Sequence, residues 1–154
     1  MDLGDLITPA SVIPALKAAN KKQALQLLAA KAAEITKLDQ RQILETLLQR
    51  EHLGSTGVGR GIAIPHGRMA GLERIVSVFA KLETPIAFDA IDSEPVDLVF
   101  LLLAPEHAGA EHLKALARIS RLLRDALALE KLRASHDREA LYAVLTQPLA
   151  SQAA

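Results

Sequence analysis

Cysteine is absent from the 154 residues, which excludes disulfides and thiolate zinc sites and fits a reducing compartment. Tryptophan is absent too and aromatics make up only 3%, so the core must be aliphatic. Single-stranded nucleic acid would find no stacking platform on such a chain. Neither sign of charge is in excess: 18 Lys plus Arg balance 18 Asp plus Glu, leaving no global attraction to nucleic acid or an anionic membrane. The longest apolar run, Leu98 to Ala104, is far shorter than the ~20 residues of a membrane-spanning helix. The start, Met1-Asp2-Leu3-Gly4-Asp5, has neither the basic region nor the apolar stretch of a signal peptide. These absences predict a cytoplasmic protein that neither binds nucleic acid nor inserts into a membrane.

What is present is aliphatic and periodic. Half of the residues are hydrophobic, enough for one domain with a substantial core. Leu3 to Ala18 is interrupted by Pro9 and Pro14, and Val12 and Ile13 can start a strand. Asn20 with Gln23, then Asp39 with Gln42, are helix start signals; Leu25, Leu28, Ala32 and Ile35 follow the first, Ile43, Leu44, Leu47 and Leu48 the second. From Ile75 to Leu82 the pattern alternates, with Val76, Val78, Ala80 and Leu82 on one face and Ile75 and Phe79 beside Ser77 and Lys81 on the other. Thr84 to Asp97 reads as turn, and Leu98 to Leu103 as a central strand covered on both faces. Helices are predicted over Ala110 to Leu123 and Ala126 to Ala134, with a last one capped by Ser135 and running through Leu145. This order gives an α/β fold with three layers, α/β/α. One domain spans 1–147, and 148–154 is a short flexible tail.

The segment Gly54-Ser55-Thr56-Gly57-Val58-Gly59-Arg60-Gly61-Ile62-Ala63-Ile64-Pro65-His66-Gly67 departs from this regularity. Glycines at 54, 57, 59 and 61 allow close backbone approach and positive φ, which suits an anion. It is not a nucleotide P-loop. Arg60 stands where the lysine belongs, Gly61 replaces the magnesium-binding hydroxyl, and the order is helix, loop, strand. The dinucleotide fingerprint also lacks its last glycine. Pro65 is expected to close the strand that contains Ile62, Ala63 and Ile64, leaving His66 at its end. Either a phosphoryl site or a tight turn with an ordinary surface histidine satisfies these features.

Arg50-Glu51-His52-Leu53-Gly54-Ser55-Thr56-Gly57-Val58-Gly59 followed by Gly61-Ile62-Ala63-Ile64-Pro65-His66-Gly67 resembles the active-site signature of the mannitol/fructose class of enzyme IIA proteins of the bacterial phosphotransferase system. Leu82 to Asp92 and Pro95-Val96-Asp97-Leu98 resemble its nitrogen-regulatory branch. The likeness covers nearly the whole chain. It implies a mixed sheet between helices, no cofactor, and a histidine phosphorylated by an HPr-like phosphocarrier fed from phosphoenolpyruvate. It also implies regulated partners such as a potassium transporter or a sensor kinase. A sugar-specific IIA component that feeds a permease, and a small-anion binding module that is never phosphorylated, are the alternatives. A weak homodimer is left open.

Carried onto this sequence, the resemblance makes His66 the phosphorylated residue through Nε2, His112 the second active-site histidine, and Arg50 the active-site arginine, with a surface arginine near a helix C-terminus as the competing reading of Arg50. Helical spacing contributes independently, because 112, 116, 119 and 123 form one inward stripe with His112 in the first turn, near amides that favour an anion; on spacing alone, a half-buried structural histidine donating to a backbone carbonyl is the favoured reading. Ser55, Thr56 and Gly57 are the candidates for added phosphoryl-binding donors, with turn roles as the competing reading. Arg60 and Arg68 stand where the family often has asparagine and lysine, and fit partner docking. No metal site is expected: His107 and His112 fall on different helix faces, His52 and His136 read as solvated, and Asp89, Asp92, Glu94 and Asp97 lack the spacing of a calcium loop. A shallow apolar rim of Ile62, Ile64 and Met69 is expected to surround His66.

Overall fold

The computed structural model describes residues 2–147, and the tail predicted over 148–154 lies outside them. Two 3-10 turns, Leu3–Asp5 and Pro9–Ser11, lead into β1 (Val12–Leu16), α1 (Lys21–Thr36) and α2 (Gln40–His52). Three short strands follow, β2 (Gly57–Gly59), β3 (Ile62–Ala63) and β4 (His66–Met69), and then two long ones, β5 (Val76–Ile86) and β6 (Val96–Pro105). The described chain ends in α3 (Gly109–Arg124), α4 (Ala126–Ala134) and α5 (Arg138–Thr146).

β6 is the axis of the sheet: β5 lies antiparallel along one edge, and β3 and β4 both lie parallel along the other. β1 runs parallel to β5, and β2 antiparallel to β3, so the sheet is mixed, as expected. Alternation along the two long strands sorts the core into two halves. Val78, Ala80, Leu82, Val99, Leu101 and Leu103 pack with Leu25 and Leu28 of α1 and Ile43 and Leu47 of α2. Phe79, Leu98, Phe100 and Leu102 pack with Ile119 and Leu123 of α3, Leu132 of α4 and Leu141 of α5. From Leu98 to Ala104 every residue is buried, because helices cover both faces.

Helix starts follow the sequence closely. Asn20, Asp39, Asp125 and Asp137 each accept a hydrogen bond from the amide three residues on, a cap typically worth ~1 kcal/mol. Ser135 is a correction: its hydroxyl donates to the Lys131 carbonyl and ends α4, so Asp137 caps α5. β5 also runs further than expected, to Ile86, where an irregular stretch brings Ile86 opposite Val96. β3 closes at Ala63, ahead of Pro65, but pairing with β6 does not stop at Pro65. The proline has no amide to donate, but its carbonyl accepts from the Leu102 amide at 2.9 Å and keeps the chain in line. The ladder resumes, and His66 begins β4 opposite Leu102.

Candidate active site

His66, the first residue of β4, lines a cavity. Nδ1 lies 2.8 Å from the Ile64 carbonyl oxygen. A carbonyl can only accept, so this contact assigns the proton to Nδ1 and leaves the lone pair on Nε2. Arg50, in the last turn of α2, donates from Nε to that Nε2 at 3.3 Å and from Nη1 to the Gly54 carbonyl at 2.8 Å. From the opposite helical layer, α3 brings His112, whose ring centre lies 5.6 Å from that of His66 with the planes inclined at 53°. Its Nδ1 is buried without a hydrogen-bond partner among the described residues, so no contact there fixes the tautomer.

These three side chains meet at a cavity of about 480 Å³, also lined by Thr46, Gln49, Leu53, Gly67 and Arg68. Two guanidinium groups and two imidazoles face it and no carboxylate does, an arrangement suited to a phosphoryl dianion. A larger depression, about 680 Å³, is lined by Asp5, Glu73, Arg74, His107 and Glu111. Its three carboxylates oppose a phosphoryl group, so chemistry and not size selects the site. His52 and His136 are exposed, as their sequence positions suggest.

The glycine segment serves the cavity indirectly. The Ser55 hydroxyl donates to the Phe88 carbonyl at 2.7 Å and accepts from the Gly57 amide at 3.0 Å. Thr56, nearly fully buried, gives both its amide and its hydroxyl to the Glu51 carboxylate. Gly57 is needed for space: a Cβ there would fall 2.8 Å from the Ala90 Cβ. None of the three lines the cavity, and the amides of Thr56 and Gly57 are already engaged, by Glu51 of α2 and by the Ser55 hydroxyl. Arg60 sits at the β2–β3 turn with φ of 57°, its amide held by Asp92 and its carbonyl by Arg133, apart from the cavity that Arg68 lines.

The expected apolar rim is a correction. Ile62, Ile64 and Met69 are 1%, 5% and 6% exposed, because strand alternation and the overlying helices draw them into the core. The exposed apolar residue that lines the cavity is Leu53, at 84%. Thr46, Gln49 and Leu53 were not singled out in the sequence, yet with Arg50 they follow i, i+3, i+4, i+7 along one face of α2. Arg50 therefore marks the helical face that these neighbours share. No such pattern marks Glu51.

Burial lowers the His66 pKa below its ordinary 6.5; the Ile64 hydrogen bond partly opposes this, Arg50 lowers it further and Glu51 raises it. His112 is lowered from 6.5 chiefly by burial, then by His66 and Arg68. Both rings are thus mainly neutral at neutral pH, and a neutral imidazole is the nucleophilic form. As pH falls below 6.5, the unfolded chain takes up protons before these folded rings do, so stability present above 6.5 declines toward the lowered values. In an NMR titration of the ring C–H resonances, both midpoints are expected below 6.5, and the melting temperature should drop across that interval. A His66 midpoint at or above 6.5 contradicts the neutral buried nucleophile.

A mixed sheet that delivers a neutral histidine to a cationic cavity between two helical layers agrees with the relationships of the chain. Residues 5–147 match the protein family described as "Phosphoenolpyruvate-dependent sugar phosphotransferase system, EIIA 2", and the chain belongs to that family. More particularly, it is a homologue of nitrogen regulatory proteins. It is 60% identical over 153 residues to the nitrogen regulatory protein of Bradyrhizobium diazoefficiens, covering 99% of this chain and 100% of that one. Its identity to the protein of the same description from Escherichia coli K12 is 45%, over 82% of this chain and 78% of the other. The crystal structure of nitrogen regulatory protein IIA-Ntr from Neisseria meningitidis superposes with a TM-score of 0.89 at 33% identity, covering 94% of this chain and 99% of that one. Among the described residues no helix is long and apolar enough to cross a membrane.

Proposed function

We propose that this chain is a regulatory phosphoryl acceptor, modified on His66 Nε2 by an HPr-like phosphocarrier supplied from phosphoenolpyruvate. The observation that carries the reading is the pair of contacts on one ring: Nδ1–H held by the Ile64 carbonyl, and Nε2 facing the cavity beside Arg50. The lone pair on Nε2 attacks phosphorus as the donor's N–P bond breaks, and the electron pair of that bond returns to the donor imidazole. No proton has to leave the nucleophile first. Arg50 and Arg68 offer donors to the phosphoryl oxygens, and His112 contributes a hydrogen bond and fixes the approach. Ser55, Thr56 and Gly57 act by shaping the loop. Enzymatically this is a transferase step with a phosphohistidine intermediate that needs no cofactor.

A regulatory output is favoured by the 60% identity to a nitrogen regulatory protein, and the partners proposed are a potassium transporter or a sensor kinase. Phosphorylation places roughly −1.5 to −2 charges, by analogy with hydroxyl phosphates, on a chain of zero formal net charge. A partner that packs on Leu53 over the unmodified ring must then desolvate or repel that charge, and ~1.4 kcal/mol changes occupancy tenfold. In isothermal titration against such a partner, His66→Ala should bind like the unmodified protein and His66→Asp more weakly. Equal affinity for the phosphorylated and unmodified wild type would make the protein a carrier, as a sugar-specific IIA component is, and not a switch.

A further inference from the structure

The least expected charge beside the site is Glu51. It follows Arg50 on α2, yet its side chain is only 6% exposed and does not line the cavity. A buried carboxylate is costly unless donors surround it. Here there are three: the Lys21 ammonium at 2.8 Å from Oε1, the Thr56 amide at 3.0 Å from the same oxygen, and the Thr56 hydroxyl on Oε2. Lys21 is itself held from the first turn of α1, 4.8 Å from the centre of the Phe88 ring.

From Thr56 the contacts run straight to the nucleophile. The Thr56 carbonyl accepts the Ile64 amide at 2.9 Å, and the Ile64 carbonyl accepts His66 Nδ1–H at 2.8 Å. We propose that Glu51 is a positioning residue for phosphoryl acceptance: by anchoring Thr56 it fixes the Ile64 carbonyl, which keeps the His66 proton on Nδ1 and the lone pair on Nε2. The inference rests on His66 being the phosphoryl acceptor.

Tautomer control matters because a free histidine side chain prefers its proton on Nε2, the form that cannot attack from that atom. A hydrogen bond to the other nitrogen reverses the preference. Arg50 also favours a lone pair on Nε2, but at 3.3 Å its contact is longer than that of the Ile64 carbonyl at 2.8 Å. With the carboxylate gone, two donors of Thr56 lose their acceptor, the β2–β3 connection loosens, and the Ile64 carbonyl can turn away. The same carboxylate explains why Thr56 is a hydroxyl residue at a position that never meets the phosphoryl group.

The test uses the full chain and the variants Glu51→Gln, Thr56→Val and Thr56→Ser. Thr56→Val keeps the shape of a buried side chain and removes only the hydroxyl, so it remains informative should Glu51→Gln fold poorly. Long-range proton–nitrogen NMR spectra of the imidazoles, recorded where both rings are neutral, report the tautomer without any donor protein. The wild type should show His66 with Nδ1 protonated; Glu51→Gln and Thr56→Val should show a mixture with Nε2 protonated, and Thr56→Ser should restore the wild-type pattern. In phosphoryl acceptance from an HPr-like donor, kcat should fall ~10–100-fold, the usual scale for groups that orient a functional histidine, with KM for the donor unchanged. Folded variants with the wild-type tautomer overturn the proposal, as does a rise in KM at constant kcat. A wild type that holds Nδ1–H but accepts no phosphoryl group overturns the function proposed for His66, while the tautomers of the variants still decide what Glu51 does to the ring.

Discussion

His66→Ala should accept no phosphoryl group at all. The proposed reaction needs a nitrogen lone pair at this point in the cavity, and the other imidazole there, His112, is buried on α3. The variant should nevertheless fold. Its ring is half-buried, and its removal frees two groups, the Ile64 carbonyl and the Arg50 Nε, which water can reach through the cavity. Losing a hydrogen bond of this kind typically costs ~0.5–1.5 kcal/mol, well within the stability of a domain this size. Intact-mass measurement after incubation with phosphoenolpyruvate and the upstream phosphocarriers reads the result directly. Undiminished labelling would place the acceptor elsewhere.

The second large effect belongs to His112→Ala, for which acceptance and release of the phosphoryl group should slow by ~10²–10⁴-fold, the range of a positioned hydrogen-bonding or acid–base group. His112 is 5% exposed and shares its helical stripe with the buried Ile119 and Leu123, so some loss of stability accompanies the substitution. His112→Gln separates the two contributions. It retains a donor on a side chain of similar reach and should recover part of the rate. Rates equal to wild type in the alanine variant, in both directions, would reduce His112 to a packing residue.

Periodicity made the layers of the fold legible before any coordinates. The alternation of Val78, Ala80 and Leu82 against Ile75 and Phe79 separated the two faces of the strand, which the fold then packs against different helices, and the apolar run from Leu98 marked the strand covered on both sides. Local hydrogen-bond competition was harder to read. Ser135 and Asp137 both suit a cap, and only the three-dimensional path shows the serine turned back to Lys131. Around Pro65 the strand of Ile62 and Ala63 does end, but the rule against proline concerns only its missing amide; its carbonyl still pairs with Leu102, so His66 begins β4 instead of ending a strand.

At the site, Arg50, His66 and His112 were recognisable from motif and spacing, and the fold brings them to one cavity. The glycine segment was expected to offer its own amides and hydroxyls, but whether a donor is free depends on distant acceptors. Glu51 and the Phe88 carbonyl take up Thr56 and Ser55, a pairing across five and 33 positions that no local pattern encodes. The exposed rim failed in the same way. Ile62, Ile64 and Met69 surround His66 in sequence, but burial is decided by which side of the sheet the helices cover.

In the proposed reaction Nε2 of His66 takes the phosphoryl group while Nδ1 keeps its proton on the Ile64 carbonyl. Nitrogen-15 labelling of the histidines and a phosphorus–nitrogen coupling spectrum of the phosphorylated protein test it most directly. A single phosphohistidine is expected, with phosphorus coupled to Nε2 of His66. Coupling to Nδ1, to His112, or to no histidine nitrogen would contradict it.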